Sequence, residues 1–217
     1  MNVPHPAFSR PQPIVLDGRY CRLEPLGLQH ADGLYAASAD VGAGARYRYL
    51  FGDAPKSREE LSGWITQVSA SEDPMYFAVI DKATGRCEGR QALMRIASDD
   101  GCIEIGGIYW GPGMARSRIA TEALFLHARY AFETLGNRRF EWKCNNLNEP
   151  SRRAALRFGF SFEGVFRQHM IQKGENRDSA WFSIIDGEWP RLKAGYERWL
   201  DPQNFDANGT QRAKLSF

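Results

Sequence analysis

Hydrophobic and polar positions along this chain change period several times, and each change marks a predicted element. Residues 20–25 (YCRLEP) alternate, which predicts a strand. Residues 30–39 carry a helical pattern. Residues 57–69 open with Ser57 three positions before Glu60, a capping-box spacing, and continue as a helix. Between these helices lies 46–55 (RYRYLFGDAP), which has no clear period and contains Gly52 and Pro55; it reads as a structured loop. Residues 75–80 (MYFAVI) form a dense apolar run suited to a buried strand. Turn signals at 83–85 and 99–101 lead into strands over 87–96 and 102–110. Three strands joined by two tight turns predict an antiparallel meander.

The period then returns to helical over 119–135, with apolar residues spread round several faces and Gly136 placed to end the helix. Residues 139–144 (RFEWKC) alternate as a strand. Pro150 sits where a short helix begins, residues 151–158 continue it and Gly159 closes it. Strands over 160–172 and 178–185 follow, turned by 173–176, and a last helix covers 188–200. In the first of these strands Phe160, Phe162, Phe166 and Met170 are expected on one face and Glu163, Arg167 and His169 on the other. The order predicts a mixed α/β sandwich (α+β) around one sheet, not a run of βαβ repeats. An extended arm (1–17), a single domain (18–200) and a loose polar tail (201–217), whose Phe217 could dock, complete the expected organisation.

Composition narrows the function. The 28 basic and 26 acidic residues nearly balance, so bulk charge does not point to nucleic acid. Cys21, Cys87, Cys102 and Cys144 are far apart, supporting neither a zinc site nor a disulfide framework. No apolar run has the length of a membrane span, and the proline-rich start lacks the apolar core of a signal peptide. These features fit a reducing cytoplasm, no metal and no membrane partner.

The richest stretch is 110–124 (WGPGMARSRIATEAL). A strand runs into a Gly-Pro-Gly break, a loop with Arg116 and Arg118, and a helix start. Free N–H groups and the positive end of the helix dipole favour an anion there. No Walker-type or G-x-G-x-x-G loop is present, which argues against a nucleotide-binding transferase.

The order of elements and several motifs resemble the GNAT superfamily of acyl-CoA N-acetyltransferases, nearest the branch of ribosomal-protein N-terminal acetyltransferases. The matching pieces are Glu104-Ile-Gly106, Ala120-Thr-Glu-Ala123, Tyr130-Ala-Phe132, Asn148-x-x-Ser151, Gly159-Phe160, Phe162-Glu-Gly164 and Glu188-Trp189. Together they span about 18 to 200. The resemblance implies a central, mostly antiparallel twisted sheet flanked by helices. It implies acetyl-CoA as cofactor and direct attack by a primary amine, of a small molecule or a peptide N-terminus, in a ternary complex. It admits a monomer or a homodimer, with the homodimer the slight preference. A non-catalytic CoA-binding or interaction module on the same fold is the alternative.

The resemblance also assigns residues. The family's pyrophosphate loop reads Gln/Arg-x-x-Gly-x-Gly/Ala, and the aligned stretch is Ala115, Arg116, Ser117, Arg118, Ile119 and Ala120, followed by Thr121; only Ala120 fits. Arg118 replaces a glycine that lets backbone approach phosphate, so it hinders that approach or contacts phosphate itself, the second being preferred. Backbone at Ile108, Tyr109 and Trp110 falls where a bulged strand faces the thioester. Asn148 aligns with a pantetheine contact and Ser151 with the donor to the leaving thiolate, because the usual tyrosine position is Ala155. Acyl transfer needs a deprotonated amine, a stabilised oxyanion and a protonated thiolate. Glu163 is the first candidate to take the amine proton and Glu104 the competitor. Arg153 is a weaker candidate for the adenosine phosphates. Tyr47, Tyr49, Arg167 and His169 are candidates for the acceptor cleft.

Overall fold

Eight strands form one sheet in the computed structural model, which describes residues 8–115 and 117–217. They are β1 (Leu16–Asp17), β2 (Cys21–Pro25), β3 (Met75–Asp81), β4 (Cys87–Ala97), β5 (Cys102–Trp110), β6 (Arg139–Asn145), β7 (Ser161–Gln172) and β8 (Glu175–Ile185). Their order is β1-β2-β3-β4-β5-β6-β8-β7. Every adjacent pair is antiparallel except β5 and β6, which run parallel. That single parallel pair is short. It joins Cys102 to Arg139 and ends at Ile105 and Trp142, after which the ladder between the two strands stops. Both strands continue, so the sheet is split from there on.

A bulge in β5 lies at the split. Arg90 pairs with Tyr109 but Ala92 pairs with Gly106, so Gly107 and Ile108 face the single residue Gln91. Gly107 takes a left-handed φ of 56°, and a Cβ there would lie 2.8 Å from the Tyr76 ring. Glycine is therefore required on two counts.

Six α-helices among the described residues cover the sheet: α1 (Ala31–Ser38), α2 (Ala43–Tyr47), α3 (Arg58–Val68), α4 (Arg118–Arg129), α5 (Glu149–Arg157) and α6 (Trp189–Leu200). Leu34, Tyr47, Leu61 and Ile65 from the first three pack against Ala78, Ile80 and Tyr109 on one face of the sheet. On the other face, Ala123, Leu124 and Leu126 of α4 and Leu192 and Tyr196 of α6 pack against Leu23, Phe77, Leu93, Ile103 and Phe140. The result is the mixed sandwich with a mostly antiparallel centre that the element order predicts.

Four local details depart from the simple pattern. The segment after α1 is not all loop, because α2 occupies its first part. The predicted 119–135 helix changes to a π turn over Tyr130–Thr134, where Leu135 N–H reaches the Tyr130 carbonyl at 3.0 Å. Strand β7 slips register twice against β8, between Phe162 and Gly164 and between Phe166 and Met170. Those slips break the expected two-face alternation, and Phe166 and His169 come into contact at a ring separation of 5.6 Å. The polar C-terminal stretch is docked rather than loose. Phe205 is buried, Trp199 Nε1 donates to Gln211 Oε1 at 2.8 Å, and Phe217 lies 5.2 Å from the Tyr196 ring. Gly195 makes room for it, since a Cβ there would lie 2.5 Å from Phe217.

Candidate active site

The parting of β5 from β6 opens a cleft of about 430 Å³. Beyond the last β5–β6 pair, the facing edges of Gly106–Trp110 and Lys143–Asn145 share no ladder hydrogen bonds. Backbone N–H and C=O groups left this way inside a protein need partners, so the split edges are suited to an extended polar ligand. Ile108 and Trp110 line the cleft. The Tyr109 side chain turns to the opposite face, where it is buried and its hydroxyl donates to the Ala37 carbonyl at 2.7 Å.

Helix α5 closes one side. Asn148 caps it, its Oδ1 accepting from Ser151 N–H at 3.2 Å. Pro150 follows in the first turn, where a missing N–H costs nothing. Ser151 Oγ accepts the Trp142 indole N–H at 3.0 Å, which leaves its own proton to donate. Its neighbour is the Cys144 thiol. Burial pushes that thiol's pKa up, and the Ser151 hydroxyl is the strongest influence pulling it back. Ser151 is thus a hydroxyl with one lone pair taken by Trp142 and its own proton available to an acceptor. Asn148 and Ser151 both line the cleft.

Glu104 occupies the floor just before the bulge. It is 5% exposed, and burial raises its pKa above the usual carboxylate range against the pull of Lys143 and Arg95. Its Oε2 lies 3.0 Å from Lys143 Nζ and 3.1 Å from Arg95 Nε, yet neither approach is aligned as a hydrogen bond. The carboxylate is neutralised as a charge but keeps lone pairs to accept a proton.

The start of α4 follows the turn after β5 and supplies none of the cleft lining. Ser117 caps it, accepting from Ala120 N–H at 3.4 Å, and a helix start of this kind presents further backbone donors suited to an anion. Arg118 does not lie over those donors. Its guanidinium stacks on Tyr20 at 4.3 Å and reaches Phe205 at 5.4 Å. Ile119 faces β2, its carbonyl accepting the Cys21 thiol. Arg157 donates to Thr121 Oγ1 at 3.1 Å and has no ion pair among the described residues. Ala115 is in the preceding exposed turn, and Arg116 lies outside the described residues.

The remaining predicted residues divide cleanly. Tyr49 and His169 line the cleft, whereas Tyr47 and Arg167 do not. Tyr47 is 4% exposed and stacks on Tyr109 with ring centroids 4.6 Å apart, so it is a packing residue. Burial and nearby Arg95, Arg177 and Lys143 lower the His169 pKa, favouring its neutral form. Arg153 is exposed and pairs with Glu149 at 3.6 Å, away from the cleft lining.

Glu163 is also outside the lining. It is gripped by Arg139 at 2.7 and 2.5 Å and by the Ser183 hydroxyl at 2.7 Å. Arg139 above all holds its pKa down at about 2. A carboxylate so weakly basic is a poor proton acceptor at neutral pH. Its folded pKa lies below the ordinary 4.5, so its contribution is present above pH 4.5 and disappears as pH falls toward 2. The side chain is 38% exposed, and solvent screening cuts the net effect to about 1 kcal/mol. Glu163→Gln is accordingly expected to lower the melting temperature at pH 7, with the loss vanishing near pH 2, and to leave turnover within about twofold. Chemical denaturation and steady-state rates check both halves; a turnover collapse would return Glu163 to the chemistry.

Several cleft residues were not singled out from the sequence: Trp64, Tyr76, Arg90, Trp142, Lys143 and Arg177. Arg90 had a legible signal, being a cation within the buried stretch 89–93 of β4. The others reach the cleft only through strand register.

Comparisons with known proteins agree with this geometry. The chain belongs to the GNAT acetyltransferases: the family described as "Acetyltransferase (GNAT) domain" matches residues 21–161. A GCN5-related N-acetyltransferase from Brucella melitensis shares 55% identity and superposes with a TM-score of 0.94, over 95% of this chain and 94% of that one. A probable acetyltransferase of the GNAT family from Chromobacterium violaceum shares 34% identity at a TM-score of 0.79, over 85% of this chain and 92% of the other. The uncharacterized N-acetyltransferase p20 from Bacillus licheniformis is 28% identical over 143 residues, 64% of this chain and 77% of its own. The protein is therefore an acyl-CoA-dependent acetyltransferase.

Proposed function

We propose that the protein moves an acetyl group from acetyl-CoA to a primary amine by direct attack in a ternary complex. The observation that carries this reading is the split between β5 and β6, with Ser151 on one wall.

The residues present fit acetyl-CoA. The first turn of α4, from Ser117 to Thr121, would hold the pyrophosphate by backbone donors and the helix dipole, with Arg157 beside it. The exposed edge of β5 from Gly106 to Trp110 would pair with pantetheine amides, and the Asn148 side-chain amide would add one more contact. Bound acetyl-CoA supplies an activated thioester. Glu104, with its raised pKa and unaligned Oε2, accepts the amine proton through water. Ser151 donates its proton to the leaving sulfur, held in place by Trp142. Arg118 contributes packing on Tyr20 rather than a phosphate contact.

The acceptor side is walled by Tyr49 and Phe51 after α2, Trp64 of α3 and His169 of β7. An amine-library screen with acetyl-CoA, read by thiol release and by acetylated product in mass spectrometry, tests the activity. Acetylation of the amine nitrogen is the expected result. Thiol release that never exceeds the amine-free rate would overturn it.

A further inference from the structure

The acceptor end of the cleft contains two buried cations with no ion pair among the described residues. Arg90 is 7% exposed. Its Nη1 donates to the Gly107 carbonyl in the β5 bulge, and its guanidinium lies 4.4 Å from the Trp64 ring and 5.4 Å from the Tyr76 ring. Its Nε is buried without a partner. Arg177 is likewise 7% exposed. It donates to Ser179 Oγ and to Gln172 Oε1, each at 3.2 Å, and lies 5.1 Å from the Phe51 ring. Both arginines line the cleft, and neither has an ion pair among the described residues.

The other cleft cations are already neutralised. Arg46 pairs with Asp40, Lys143 with Glu141 and Glu104, and Arg95 with Glu104. Among the described residues Glu104 is the only carboxylate lining the cleft; it is shared between Lys143 and Arg95 and makes no ion pair with Arg90 or Arg177. Aromatic faces and neutral acceptors stabilise a guanidinium but supply no countercharge. A desolvated cation without one is costly, and a guanidinium is shaped to bind carboxylate or phosphate oxygens.

We propose that the acceptor is an anionic amine, whose carboxylate or phosphate is held by Arg90 and Arg177 while its amino group faces the thioester. This rests on the N-acetyltransferase reading above and narrows it. In the reaction the amine nitrogen forms the new bond to the acetyl carbon and the carbon–sulfur bond breaks. The nitrogen loses one proton, the thiolate gains one, and the acceptor's acidic group is unchanged. Polycationic amines are excluded by the same surplus of positive charge.

Matched acceptors test this with acetyl-CoA as donor: L-phenylalanine against 2-phenylethylamine, phosphoethanolamine against ethanolamine, and spermidine as a polycation. The anionic member of at least one pair is expected to have a kcat/KM at least about tenfold above its neutral partner, with spermidine the poorest. Which pair shows the preference tells carboxylate from phosphate. Arg90→Gln and Arg177→Gln are each expected to bring that ratio close to one; circular dichroism confirms folding, and if one variant fails to fold the other decides. A preference for neutral or polycationic amines, or a ratio unchanged in the folded variants, overturns the proposal. So does a preference for succinyl-CoA over acetyl-CoA with neutral amines, which would give the arginines to the acyl donor. If acetyl-CoA binds but no amine in the panel is acetylated, the acetyltransferase reading fails and takes this proposal with it. Acetylation confined to the neutral amines overturns this proposal alone.

Discussion

Replacing Ser151 with alanine is expected to lower turnover about a hundredfold while acetyl-CoA affinity stays within about threefold. The size follows from its role. A positioned proton donor to the leaving group is worth two to four powers of ten, and removing one hydroxyl beside the cleft costs little packing. The orientation comes from Trp142, whose indole N–H occupies one Ser151 lone pair at 3.0 Å and leaves the proton directed elsewhere. Trp142→Phe is therefore expected to reproduce part of the loss by freeing the hydroxyl to rotate. Steady-state kinetics with saturating amine, paired with calorimetric titration of acetyl-CoA, separates turnover from binding. A Ser151→Ala enzyme that keeps more than about a third of its turnover would remove the serine from proton transfer.

Acid is expected to destabilise the fold through His127 well before most carboxylates protonate. His127 sits on α4 with no exposed surface, against the Phe77 ring at 4.8 Å. Gln91 Nε2 donates to its Nδ1 at 2.9 Å and also to the Ala123 carbonyl, while Gln91 Oε1 accepts from Trp110 Nε1 at 3.2 Å. The donor at Nδ1 assigns the proton to Nε2, which has no partner. Burial pushes its pKa down from 6.5 to about 3. The unfolded chain therefore binds a proton that the native state refuses. Stability is complete above pH 6.5 and falls as pH drops toward 3. At 1.36 kcal/mol per unit, this one group costs on the order of 3 kcal/mol by pH 4.5. His127→Leu removes the titration and leaves Gln91 its bond to Ala123. The variant's stability is expected to depend less steeply on pH between 6 and 4.5, by close to one proton, measured by urea unfolding at several pH values. Equal slopes in the two proteins would contradict the assignment.

The sequence carried the scaffold well because scaffold signals are local. The turn residues at 83–85 and 99–101, the Ser57 cap and the apolar run at 75–80 each specify their own element without help from afar. Cleft-lining positions were legible where a motif names them, at Asn148, Ser151, Ile108 and Trp110. It was less legible where geometry depends on register. Glu163 reads as a solvent-facing or cleft-facing carboxylate, but two strands bring Arg139 and Ser183 to it, separations of 24 and 20 residues that no local pattern reveals. The bulges of β7 defeat a period-two reading by design of the backbone, since each extra residue reverses the faces beyond it. Arg118 shows the same limit. A basic residue at a helix start suggests phosphate, yet Tyr20, nearly a hundred residues earlier in the chain, is under its guanidinium. No local pattern marks Arg157, which α5 carries to Thr121 on α4.

On the reading proposed above, the cleft between β5 and β6 binds acetyl-CoA and its walls transfer the acetyl group. Isothermal titration of the purified protein with acetyl-CoA tests it most directly. Saturable binding at one site per chain is predicted. Absence of any saturable heat up to about 1 mM cofactor, where even weak specific binding is measurable, would contradict it.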